Sequence, residues 1–209
     1  MKLSSDSFRD GAAIPGHYAF AVQDPKTRIK PSQNRNPHLA WSDLPKGTQS
    51  VVLICHDPDV PSKPDGVNQE GRTIPASLPR VNFHHWVLID MPASGSPIRD
   101  GEFSNGVTAK GKQGPLAPRG TRQGINDYTA WLASDKEMAG DYYGYDGPCP
   151  PWNDAIAHRY VFTLFALDLD KCPVQRRFGA PEVLKAIKGH VLGRARFTGL
   201  YSLNPAVRV

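Results

Sequence analysis

Nowhere in the 209 residues do eighteen apolar residues run together, so no transmembrane helix is expected. The N-terminal stretch MKLSSDSFRDGAAIPGHYAF lacks the apolar centre of a secretory signal, which makes cytoplasmic residence the default expectation. Cysteine is scarce. Cys55, Cys149 and Cys172 are an odd number, which excludes a complete disulfide framework and fits reduced thiols. No HxxxH or CxxC pair supplies close metal-ligand spacing, so no metal or cofactor is implied. Basic residues exceed acidic ones, for a net charge of +5, but they are scattered, with the densest groups at Arg176–Arg177 and Arg194–Arg196. Without a basic stripe or a known module, nucleic acid is not an expected partner.

What the chain has in quantity is turn-forming residues, 20 prolines and 19 glycines, which favour many short elements over long helices. HYAFAVQDP and QSVVLICHDPD each carry a β-prone run that is expected to stop at Asp-Pro. NFHHWVLIDMP reads as a strand with Phe83, His85, Val87 and Ile89 on one face and His84, Trp86 and Leu88 on the other. HRYVFTLFALD is apolar on both faces beyond its first residues, as a strand covered on two sides should be. NDYTAWLASDKEM predicts a short helix capped by Asn126 or Asp127, and RARFTGLYSL a last strand. APEVLKAIKGHVL predicts the clearest helix, over 181–192, with Leu184, Ile187 and Val191 as its apolar stripe. The segment between Pro61 and Pro79 is polar and turn-rich, a long excursion. With no repeat and no linker, residues 1–209 are expected to form a single, mainly β domain of two packed antiparallel sheets.

Polar groups gather at strand ends or beside prolines: Asp57 and Asp59 in CHDPDVP, His84 and His85 in FHHW, and His158 with Tyr160. Each has an ordinary structural reading, as a turn, a satisfied buried imidazole or a core tyrosine. An adjacent histidine pair on a strand must also divide between the two faces. Before HRYVF stands YDGPCPP, whose Pro148, Pro150 and Pro151 make a stiff loop able to aim a backbone N–H such as that of Cys149.

CHDPDVP, HHWVLID and YDGPCPP…HRYVFTLFALD, in that order, resemble the phosphatidylethanolamine-binding protein family, and more narrowly its bacterial Raf-kinase-inhibitor-like branch. NPHLAW and GHVLGRARFTGLYSL extend the resemblance over nearly the whole chain. It implies two antiparallel sheets, a helix in the C-terminal region, and a small anion pocket formed by Asp57, His85, Gly147, Cys149, His158 and Tyr160. The ligand implied is a phosphate or phospholipid head group, with a kinase or protease as candidate protein partner and a homodimer left open. In this reading Asp57 orients His85 by accepting a ring N–H or meets a ligand's ammonium group, while Asp59 and Arg159 support the site as an ion pair. The alternative is a metal- or thiol-dependent hydrolase using the Asp, His and Cys cluster, and a third reading is an interaction protein with a vestigial pocket. The chain departs from the resemblance in its long 62–83 segment and in NDYTAWLASDKEMAGDYYGY.

Overall fold

The computed structural model describes residues 1–209. Its strands are β1 (Lys2–Ser4), β2 (Ala21–Asp24), β3 (Arg28–Pro31), β4 (Ala40–Ser42), β5 (Ser50–Pro61), β6 (Arg80–Pro92), β7 (Arg122–Gln123), β8 (His158–Leu167) and β9 (Val191–Tyr201). Two short helices join them, α1 (Tyr128–Trp131) and α2 (Ala180–Ala186). A five-stranded antiparallel sheet runs in the order β7-β6-β5-β8-β9, and β1-β4 and β2-β3 form two further antiparallel pairs.

The alternation of side chains in β5 and β8 divides the core in two. Leu53, Cys55, Tyr160, Phe162 and Leu164 face a layer containing Phe8, Ile14, Tyr18 and Leu39, with Leu3, Ile29 and Trp41 of the small sheets packed against it. Val52, Ile54, Val87 and Ile89 face the opposite way, onto Val183 and Ala180 of α2 together with Ile187 and Phe178. Truncating a fully buried aromatic such as Phe162 to alanine would cost about 3–5 kcal/mol by the usual core measure.

Four elements differ from the sequence expectation. HYAFAVQDP begins as a 3-10 turn at Gly16–Tyr18, and only Ala21–Asp24 is strand. β5 does not stop at Asp57-Pro58 but continues to Pro61. Between Asp57 and Val60 it carries one residue more than β6 does between Phe83 and Val81, a bulge that takes Pro58 and its missing N–H out of the ladder. α2 ends at Ala186, because Gly189 at φ +89° reverses the chain and Val191 already belongs to β9. Its buried stripe is Ala180, Val183 and Ile187, whereas Leu184 and Val191 are exposed.

The fourth difference concerns His85. Cys55 pairs with Trp86 but His56 pairs with His84, so β6 bulges at His85. The bulge turns His85 away from the Val87–Ile89 side and onto the side of Tyr160, whose ring centroid lies 5.0 Å from its own. His84 still points the other way, beside His56 and Asp127.

Candidate functional site

The ends of β5, β6 and β8 that carry Asp57, His85 and Tyr160 open into a cavity of about 340 Å³. Asp57, His85, Cys149 and Tyr160 form its polar floor. Phe20, Ile29, Phe83 and Tyr128 wall it, and Val60, Pro64, Val67, Trp131, Leu132 and Pro151 make a largely apolar mouth that also carries Ser62, Lys63 and Asn68. The mouth is therefore built largely by the 62–83 excursion and by α1 with the residue after it.

Behind the floor lies a buried chain of alternating charge. Asp57 Oδ1 accepts the Asp59 backbone N–H at 2.7 Å, and its Oδ2 lies 2.6 Å from His158 Nδ1. His158 Nε2 lies 3.1 Å from Asp154 Oδ2, and Arg80 donates to both oxygens of Asp154 at 2.5 and 3.0 Å. His158 has no exposed surface and Asp57 and Asp154 are each 1% exposed. Burial alone would lower the His158 pKa, but the hydrogen bonds to Asp154 and Asp57 outweigh it and raise the pKa to about 9. A ring with a carboxylate at each nitrogen donates twice only as the imidazolium. Nearby, Arg159 forms a forked ion pair with Asp59, at 2.9 Å from Nε and 2.7 Å from Nη2.

His85 meets a different partner. Its Nδ1 lies 2.8 Å from the Asp146 carbonyl oxygen, which can only accept, so the proton sits on Nδ1. Burial, among Phe83, Tyr128 and Tyr160, pulls its pKa below the ordinary histidine value despite the attraction of Asp57. Asp57 thus holds His158, not His85.

The loop over the floor is pinned from several sides. Buried Asp146 accepts from Asn34 Nδ2 at 2.7 Å, Asn126 Nδ2 at 2.8 Å and Lys112 Nζ at 2.7 Å. The Gly147 N–H donates to Asn34 Oδ1 at 2.8 Å, and the Tyr128 hydroxyl donates to the Gly147 carbonyl at 2.8 Å. A Cβ on Gly147 would stand 2.0 Å from the Tyr18 carbonyl oxygen, so this position admits only glycine. Prolines remove every other N–H from 148–151, and that of Cys149 donates to no protein acceptor. The Tyr160 hydroxyl is buried without a hydrogen-bond partner.

Of the six pocket residues expected from the sequence, Asp57, His85, Cys149 and Tyr160 line the cavity. His158 and Gly147 stand behind it, one holding Asp57 and the other holding the loop. Sequence reasoning did not find Asn34, Arg80, Asp146 or Asp154 as supports, nor Phe83 and Tyr128 as walls. Asp146 lies inside the quoted YDGPCPP motif and Asp154 three residues beyond it, whereas Asn34 has no local signal. Burial pushes the Cys149 thiol up to about 12, away from the thiolate that the thiol-dependent alternative needs, and no group of three His, Cys, Asp or Glu side chains is placed to hold a metal.

A mainly β fold with a partly apolar cavity at the end of its central sheet is the frame of a small-ligand binding protein. A family model described as phosphatidylethanolamine-binding protein matches residues 4–202. The UPF0098 protein YbhB of Escherichia coli is 30% identical over 97% of this chain and 100% of its own. A UPF0098 protein of Methanothermobacter thermautotrophicus is 32% identical over 96% of this chain and 98% of its own. The crystal structure of Escherichia coli YbcL, described as a new member of the mammalian PEBP family, superimposes with a TM-score of 0.67 at 22% identity, covering 96% of this chain and 97% of that one. The chain belongs to the phosphatidylethanolamine-binding protein family. No helix is long and apolar enough to cross a membrane.

Proposed function

We propose that the cavity binds a phosphate-bearing head group, with Tyr160 and the Cys149 N–H as donors and with Asp57 and His85 beside them. The observation that carries this reading is the Tyr160 hydroxyl, 1% exposed at the residue level and left without a partner on a floor whose supporting groups are otherwise paired. An unmade buried hydrogen bond costs about 1–3 kcal/mol, which an accepting ligand recovers. A phosphate oxygen satisfies both free donors, and the apolar mouth covers the carbon chain that the phosphate bears. Regulation of a kinase or protease through the rim is the extension suggested by the family resemblance; it would be read as displacement of the protein partner by the head group.

Calorimetric titration with phosphoethanolamine tests the reading. The parent protein should bind, and Tyr160→Phe should weaken binding by about 1.5–3 kcal/mol, the range for a hydrogen bond to a charged group. The same variant should unfold no more easily than the parent, because the hydroxyl it removes has no partner in the free protein. Absence of binding by the parent, or equal affinity in both, refutes the proposal.

A further inference from the structure

We propose that this pocket selects its phosphate in the monoprotonated state, as a phosphomonoester carrying one P–OH, and discriminates against phosphodiesters. The inference rests on the head-group reading and deepens it. Its basis is the inventory of hydrogen-bonding groups on the cavity floor.

Among the floor residues two donors have no protein acceptor, the Tyr160 hydroxyl and the Cys149 N–H, while Ser62, Lys63 and Asn68 line the cavity at its mouth. Two acceptors face it as well. Asp57 is a carboxylate, and His85 keeps its only proton on Nδ1 for the Asp146 carbonyl, which leaves Nε2 as a bare lone pair. A diester anion or a fully ionised monoester offers acceptors alone, so it satisfies the donors and sets its oxygens against the lone pairs of Asp57 and His85. A monoester monoanion offers one O–H as well. That hydroxyl donates to Nε2 or to Asp57 while the remaining oxygens accept from Tyr160 and Cys149, and every group on the floor is matched.

At the floor, a diester is matched only if His85 takes a second proton from solvent. Asp57 on β5, Asp127 beside α1 and Asp146 in the loop favour that charge, though Lys112 already pairs with Asp146. Burial against Phe83, Tyr128 and Tyr160 opposes it more strongly, and the net effect keeps His85 neutral. A monoester brings the needed proton itself below its second ionisation, near pH 6.

The test compares phosphoethanolamine with glycerophosphoethanolamine by calorimetry, at several pH values between about 5.5 and 8 and in two buffers of different ionisation enthalpy. Both ligands carry the same ammonium group, so any contact of that group with Asp57 cancels. Near pH 5.5 the monoester should bind without net proton uptake. The diester should either bind about ten- to a hundredfold more weakly, the weakening expected from losing one hydrogen bond to a charged group, or take up about one proton as His85 is protonated. Above the ligand's second ionisation, near pH 6, monoester affinity should fall about tenfold per pH unit. His85→Gln, whose amide offers a donor and an acceptor alike, should narrow the ratio between the two ligands. Vesicles with phosphatidic acid or with phosphatidylethanolamine distinguish the source: retention on the former alone assigns a lipid monoester, and binding of only the soluble monoester assigns a soluble one. A diester that binds as tightly as the monoester, with no proton uptake, overturns the proposal while leaving the head-group reading intact. Failure of both ligands to bind overturns the two together.

Discussion

The surroundings of His85 and those of His158 differ in what stands opposite the ring. His158 lies between two carboxylates, of Asp57 and Asp154, while His85 lies between a backbone carbonyl and three aromatic rings. Both side chains are buried on the same side of the sheet, and burial pushes both towards the neutral form. In one case paired charges reverse that push, and in the other they do not. The imidazolium is spent on fixing Asp57. The neutral ring, with one nitrogen unused, is the one turned to the cavity. Residue type in a motif does not assign role; the partner at each ring nitrogen does.

The largest way to break this contrast is to remove the cation. His158→Ala leaves Asp57 and Asp154 buried without their shared partner, and should destabilise the protein by about 3–5 kcal/mol, the usual cost of breaking a buried ion pair from one side. Urea denaturation near neutral pH measures it; a loss below about 1 kcal/mol would contradict the charge assignment.

Next in size is the dependence of stability on pH in the parent protein. The folded His158 pKa of about 9 lies above the unfolded value of about 6.5, so the folded state holds the extra proton between them. The stabilisation is complete below about 6.5 and is lost as pH rises through about 9, a loss of about 3 kcal/mol. His158→Ala should flatten that decline, as read from denaturation midpoints across the window.

The smallest effect sharpens the contrast between neighbours in β6. His84 points to Asp127 and away from the cavity, so His84→Ala should change affinity for phosphoethanolamine by no more than about twofold, as expected of substitutions outside the contact. An equal loss from His84→Ala and His85→Ala would show that the bulge does not divide the two rings.

Much of this was legible in the sequence where the pattern is local. Alternation over His158–Leu167 marked a strand buried on both sides, and YDGPCPP marked a stiff loop with one unused N–H. Long-range register was not legible. Asp57 meets His158 rather than His85 because β5 pairs with β8, and no local pattern encodes that pairing. Strict alternation also misplaced His85, since a one-residue bulge leaves no mark in the order of polar and apolar side chains. The 62–83 excursion and NDYTAWL stood out only as additions; that they meet to form the cavity mouth depends on tertiary packing.

The most direct test of the two-histidine account is a titration of the ring ¹⁵N signals by NMR, with His85 and His158 assigned through single substitutions. Near pH 7 His158 should show both nitrogens protonated and should titrate only around pH 9. His85 should be neutral with its proton on Nδ1, and should stay so to below the ordinary value of about 6.5. Two rings titrating together near 6.5, or a His85 proton found on Nε2, would contradict it.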